Sequence, residues 1–327
     1  MLQSASEPPP HNAAPTVEAA SPLPPAYPML ERPPPDDDPD GTFRALLDEL
    51  DPSLSGGDDG EIPIPFIEHQ LAQCFDAMIV GLAALDTASV DGMALPASQS
   101  SITLPLRQVA DRGILPTHLL AVSTPDRPQK VVLVHGIVFV SQCTTPTLPQ
   151  QRGAASESQD ALALPIVRAT LPSLPGFYAL LAYMYLPRAS TLLNALFPQA
   201  LPSPLPLPLS GDGLSPAHVS PATRLHLATH LLAHAQEATT PTTTPPMPIG
   251  VAYLQNAATR VRDVSKTALA LGMYRPELWD LLDFAWALVM CALGMALDSE
   301  RGEDLDGWWW DGQPGGDGEE GMRVWVP

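Results

Sequence analysis

The sequence predicts an α+β fold: a small sheet packed with helices, then an all-helical subdomain, between acidic ends expected to be disordered. Three observations carry this. Strand-like apolar runs and helical repeats alternate between Pro65 and Pro198, whereas residues 219–297 show only the helical period. The 40 prolines cluster at Pro8–Pro39, Pro198–Pro221 and Pro241–Pro248, where they break helices and remove ladder donors. Acid gathers at the ends of the chain: Glu31–Glu61 holds eleven acidic residues and two arginines, and Asp298–Glu320 holds nine and one, so little of the net charge of −20 falls elsewhere. The expected division is a disordered region at 1–64 with a short amphipathic helix at 43–50, an α+β domain at 65–198, a proline-rich linker at 199–218, a helical subdomain at 219–297 and an acidic Trp-rich tail at 298–327. Setting the proline-rich stretches aside leaves roughly 200 residues, enough for a core.

The first element is "TFRALLDELD". Phe43, Leu46, Leu47 and Leu50 stand at i, i+3, i+4 and i+7 on one helical face, and Pro52 ends the run. So short a helix does not hold alone. It either docks on this chain's own core or folds into a partner's groove, which makes these four residues candidate partner-binding positions. Pro65–Leu85 reads as a full helix, with proline in its first turn and Phe66, Ile67, Leu71, Cys74, Phe75, Met78, Ile79 and Leu82 at helical spacing.

A short strand is expected at "SITLPLRQVA". "THLLAVS" and "KVVLVHG" read as two strands joined by the hairpin loop "TPDRPQ". "IVFVSQC" either extends the strand or begins a helix, since a short buried run fits both periods. After a polar loop at 144–160, "ALALPIVRATLP" reads as a strand whose pairing Pro165 limits.

"SLPGFYALLAYMYLPR" follows as a helix with Phe177, Leu180, Leu181, Met184 and Tyr185 on one face, and "ASTLLNALF" as a shorter one. Beyond the linker, Ser220 caps a helix that opens on Pro221 and whose apolar face is expected through Leu225, Ala228, Leu231, Leu232 and Ala235. Gly272 stops the next helix. "RPELWDLLDFAWALVMCALGMAL" is apolar on most faces and should be the most buried helix of this half.

The chemistry-bearing motifs are few. No Lys/Arg stripe exists to displace counterions from phosphates, so no direct nucleic-acid contact is expected. The longest apolar run, Leu281–Leu297, is interrupted by Asp283 and is short for a bilayer, so no membrane association is expected. Cys74, Cys143 and Cys291 are odd in number and far apart, which reads as buried free thiols in a reducing compartment. The N-terminus lacks the basic and apolar regions of a signal peptide, so an intracellular location is expected.

His226, His230 and His234 repeat every fourth residue, but the first and third lie about 12 Å apart along a helix axis and cannot share one ion. They read as a solvated stripe. "DPSLSGGDDGEI" begins like a calcium loop, yet Ile62 stands where a bidentate Glu belongs. Gly316, Gly318 and Gly321 spell G-x-G-x-x-G, but acids fill the gaps and no strand precedes them. His135 and Cys143 can be written as base and nucleophile. A thiolate needs an electropositive setting, and Val138, Phe139 and Val140 supply the opposite, so core packing is expected. No catalytic residue, metal site or cofactor is assigned, and an enzyme is not expected. In the tail, Trp308, Trp309 and Trp310 alternate with acids and either fold back on the core or form a partner-binding segment.

Strand–turn–strand, "VHGIVFVSQC" and "LPIVRATLPSLPGFYALLAYMYLPR" together resemble a BTB/POZ-type domain. Val134, His135, Phe177, Leu180, Leu181, Tyr183 and Tyr185 carry the motif as its core. With "YLQNAATRVRDVSKTALALGMYRPELWDLLDFAW", the stretch from about Thr117 to Leu297 resembles the fungal clampless family, regulators of mating-dependent development. The resemblance implies a BTB/POZ-like fold and a non-catalytic regulator of sexual development. It would work by binding regulatory proteins, transcription factors among them, in the nucleus or else the cytoplasm. The alternative partner is a ubiquitin-ligase scaffold, for which the chain would be a substrate adaptor. Homo-oligomerisation is left open.

Overall fold

Pro165 divides the longest described strand into halves that pair with different neighbours. The computed structural model describes residues 30–34, 36–52, 62–88, 90, 95–109, 111–125, 127–149, 160–205, 219–238 and 250–301. Their elements run α1 (Pro39–Leu50), α2 (Ile64–Ala83), β1 (Ser101–Pro105), β2 (His118–Thr124), β3 (Arg127–Val134), α3 (Gly136–Val140), β4 (Ala161–Thr170), α4 (Leu174–Tyr185), α5 (Ala189–Leu196), α6 (Pro221–Ala238), α7 (Val251–Ala270) and α8 (Pro276–Arg301). The fold is α+β, a curled four-stranded sheet with eight helices among the described residues.

The sheet order is β1-β4-β2-β3. β4 pairs antiparallel to β1 over Ala161–Pro165 and parallel to β2 over Ile166–Thr170. Pro165 has no N–H to give, and it sits where one pairing hands over to the other; the next amide, of Ile166, donates to the Ser100 carbonyl at 2.8 Å. β2 is flanked on both sides and is apolar without alternation, as a central strand should be. The β2–β3 connection is tighter than expected, because Arg127 and Pro128 join β3. β3 is an edge strand, where a proline costs no ladder bond.

One face of the sheet is closed by a cluster of Leu104, Leu119, Ala121, Leu133, Leu162, Leu164 and Ile166 with Leu85, Val90 and Leu95. β2 meets α4 as well. The "IVFVSQC" ambiguity resolves as the single-turn helix α3.

Within region 1–64, the short amphipathic helix takes the chain's own core, one of the two places its sequence allows. Asp38 caps α1 by accepting from the Gly41 amide at 2.9 Å, and Pro39 opens the helix. Phe43 and Leu47 are fully buried and Leu50 nearly so. Tertiary burial supplies what twelve residues cannot supply alone. Upstream, Arg32 bonds Asp283 and Asp280 of α8, which ties this arm to the far end of the sequence.

The sheet-bearing region and the later helices are in contact. All described residues fall in one compact unit. α4 is buried around most of its circumference and packs on α7. The turn between α7 and α8 is bonded to the chain after α3: Thr144 N–H to Gly272 O at 3.1 Å, Thr145 N–H to Leu271 O at 3.0 Å and Tyr274 N–H to Gln142 O at 3.3 Å. Gly272 makes this turn at φ 59°, a left-handed conformation that stops α7 as its position in the sequence predicts.

Ser220 caps α6 by accepting from the Thr223 amide at 3.1 Å. The buried stripe of α6 is Leu227, Ala228, Leu231 and Ala235, while Leu225 is exposed and Leu232 half-buried. The expected stripe is thus turned slightly about the helix axis, because α8 covers α6 from one side. α8 extends to 26 residues, long and apolar enough to cross a bilayer by length and composition. Its Leu278, Leu282, Ala285, Val289 and Ala292 are instead fully buried within this chain.

Candidate functional site

Two of the motif residues, His135 and Tyr185, meet at the end of β3. Val134 and His135 are buried, and so are Phe177, Leu180, Tyr183 and Tyr185 of α4; Leu181 is half-buried. His135 and Tyr185, fifty positions apart, form a closed pair: the His135 amide donates to the Tyr185 hydroxyl at 2.9 Å, and His135 Nδ1 lies 2.7 Å from the same oxygen. Nε2 lies 2.8 Å from the Ile114 carbonyl. A carbonyl only accepts, so Nε2 carries the proton and Nδ1 accepts from Tyr185. Every polar atom of the pair is matched. Burial holds the His135 imidazole below its ordinary pKa, partly offset by the Ile114 bond. Burial likewise pushes the Tyr185 phenol up, opposed by its bond to the His135 amide, and pushes Tyr183 up to about 12, helped by Glu277.

A second histidine repeats the device. His118 Nε2 lies 2.9 Å from the Pro149 carbonyl and Nδ1 lies 2.8 Å from Thr117 Oγ1. That hydroxyl accepts the Gly136 amide at 2.7 Å. So His118 is protonated on Nε2 as well, and the first two amides of the α3 entry, from His135 and Gly136, each end on a hydroxyl that donates to a buried imidazole. Burial lowers the His118 pKa too, against the Pro149 bond. Gly136 is needed for space: a Cβ there would stand 2.9 Å from His118 Cε1 and 3.0 Å from Leu50 Cδ1.

His135 and Cys143 do not form a reactive pair. Both nitrogens of His135 are engaged elsewhere, and Cys143 Sγ faces Met184 Sδ at 3.7 Å in a fully buried position. Burial pushes the Cys143 thiol far above its ordinary range, the reverse of an activated nucleophile. Cys291 is shifted the same way by burial.

Arg275, which no sequence motif marks, gathers four segments. Its Nε donates to the Ser141 carbonyl at 3.1 Å and Nη2 to Glu68 Oε1 of α2 at 2.6 Å; Nη1 is 3.8 Å from Asp40 of α1. The guanidinium lies 5.7 Å from the Phe43 ring and 5.4 Å from that of Tyr274, whose hydroxyl donates to Val140 O at 3.0 Å. A planar cation with five donors is the side chain suited to this. The only hint in the sequence is an arginine set between an aromatic and a proline in a region poor in charge.

The remaining expected sites fall as follows. Phe43, Leu47 and Leu50 are buried against the chain's own core, one of the two alternatives their spacing leaves open, and Leu46 is half-buried. Trp308, Trp309 and Trp310 lie outside the described residues, as do the glycine motif and most of the calcium-like loop. His226 and His230 are exposed with their rings edge to face at 4.6 Å, while His234 is half-buried and meets the Tyr253 ring at 5.4 Å. Among the described residues, no group of three His, Cys, Asp or Glu is placed to hold a metal. The apolar side chains left open to solvent include Phe66, Ile79 and Val80 of α2 and Tyr178 of α4.

Residues 32–172 match the family model of the Clampless protein 1 N-terminal domain, and residues 190–306 that of the Clampless protein 1 C-terminal domain. No curated protein and no solved structure matches the chain.

Proposed function

This chain belongs to the clampless family, and from that premise we propose that it is a non-catalytic, protein-binding regulator of fungal sexual development that acts in the nucleus through transcription factors. One observation carries the reading. The two side chains best suited to chemistry, His135 and Cys143, are spent on internal contacts, with Tyr185 and Ile114 for the first and Met184 for the second. What such a core offers to the cell is its exterior. Phe66 is 55% exposed on α2, a large aromatic side chain of the type enriched where proteins bind one another.

The test is affinity capture with the tagged full-length chain from mating cells, with identification of what is retained. DNA-binding transcription factors are expected, and their recovery should fall when Phe66 is changed to Asp. Retention of a cullin scaffold instead would replace this reading with that of a ubiquitin-ligase adaptor.

A further inference from the structure

We propose that Thr124, at the end of the β2–β3 hairpin, is a phosphorylation site for a proline-directed protein kinase that reads Arg127 three residues on. The inference goes beyond the regulatory role above and stands on different residues. It begins with residue order: "TPDR" puts proline directly after the acceptor and a base at the third position. Of the chain's eight Ser-Pro and Thr-Pro steps, Thr124 alone has arginine or lysine at that distance. So short a motif acquires meaning only from its structural context.

The context fits. Thr124 is the last residue of β2 and Arg127 the first of β3, and they face each other as a ladder pair. Side chains directly opposite in such a pair lie on one face, with Cβ atoms about 5 Å apart. Thr124 is half-buried and Arg127 exposed. Among the described residues, no side-chain hydrogen bond or ion pair engages either of them. The neighbouring Ser123 differs. Its hydroxyl donates to the Ala169 carbonyl at 3.3 Å and lies 3.2 Å from Thr170 Oγ1, so it is committed to β4.

A kinase takes its acceptor from extended chain, so the hairpin end must part, and little holds it. Pro125 and Pro128 have no N–H to give the ladder, and the register slips between Val122 and Thr124. A sheet end with few backbone bonds opens at low free-energy cost. In the transfer, Thr124 Oγ attacks the γ-phosphorus of ATP, the bond to the ADP oxygen breaks, and the hydroxyl proton passes to the catalytic aspartate of the kinase. The product carries close to two negative charges, and Arg127 stands opposite to receive them in charge-assisted hydrogen bonds. A hairpin end at which Asp126 and Arg127 cancel thereby becomes strongly anionic.

The experiment incubates full-length protein with ATP and a purified cyclin-dependent kinase, the proline-directed probe, and maps phosphate over time by mass spectrometry. Thr124 should fill first among the eight steps. Its initial rate should fall about tenfold in Arg127→Gln and about twofold or less in Arg127→Lys. Thr124→Ser should keep the site and Thr124→Val should lose it, while Thr145→Val, at a step with no following base, should leave the Thr124 rate unchanged. Circular dichroism confirms that each form is folded. Chain isolated from mating cells should carry the same phosphate. Phosphate at other steps but not at Thr124, no phosphate at all, equal Thr124 rates in the parent and Arg127→Gln, or an unmodified Thr124 in the cellular chain overturns the proposal.

Discussion

The Tyr185 hydroxyl donates to Nδ1 of His135 at 2.7 Å and accepts the amide of the same histidine at 2.9 Å, so one phenol fifty positions away satisfies both groups. This pair joins the end of β3 to the last turn of α4. Removing the oxygen strands an amide and a ring nitrogen in the interior. Tyr185→Phe should therefore lower stability by about 2–4 kcal/mol in urea unfolding. Tyr178→Phe on the exposed side of the same helix serves as the control and should change it by less than about 0.5 kcal/mol. Equal effects of the two would remove the pair from its structural role.

Acid should loosen the same region. The His118 and His135 imidazoles have pKa values lowered from 6.5, first by burial. The unfolded chain then binds more protons than the folded one, and stability rises with pH across that interval. Their contribution is complete above the unfolded value and is lost as pH falls below about 6.5 toward the folded values. Unfolding midpoints measured from pH 7.5 to 5.5 should fall, and a His118→Gln, His135→Asn double variant, weaker throughout, should show a shallower slope.

Arg275 is 14% exposed and holds α1, α2 and the end of α3 against the α7–α8 turn. Arg275→Ala leaves the Ser141 carbonyl and Glu68 without their donor and should cost about 3 kcal/mol, with Arg275→Lys recovering only part. Arg32 pairs with Asp280 and Asp283 across a surface where it is itself 41% exposed, so Arg32→Ala should cost less than about 1 kcal/mol. Thermal unfolding of the three variants ranks them directly. Burial lifts the Asp283 pKa in spite of Arg32, whereas Asp283 and Asp280 hold the Arg32 guanidinium above its ordinary value in spite of burial; the two partners point opposite ways, in keeping with a small net contribution.

Gly272 allows no side chain. Its φ of 59° is left-handed, and a Cβ would fall 2.1 Å from Thr144 Oγ1. Gly272→Ala should destabilise by about 1–3 kcal/mol, and hydrogen exchange should rise at the Thr144 and Thr145 amides that bond this turn.

Much of this fold was legible in residue order. Pro221 behind Ser220, Gly272 after an apolar repeat and the continuous run of β2 each state a local rule that tertiary structure then obeys. Where the sequence left two answers, long-range contacts chose. "IVFVSQC" fits a strand or a helix by period, and the hydroxyls of Tyr185 and Thr117, which bind the His135 and Gly136 amides, leave it a one-turn helix. The α1 stripe suits a partner's groove or the chain's own core, and the Arg275–Phe43 contact across more than two hundred residues shows which was available. His118 was unreadable as a structural residue, because its partner is a backbone carbonyl at Pro149, and carbonyls carry no sequence signature.

The central claim is that His135 and Cys143 build the scaffold and react with nothing. Its most direct test replaces Cys143 by Ala in the full-length chain and returns the variant to a strain lacking the gene. Under the proposed role, the expected result is normal mating-dependent development from a protein about 1 kcal/mol less stable. A variant that folds natively and accumulates normally, yet fails to restore development, would contradict it.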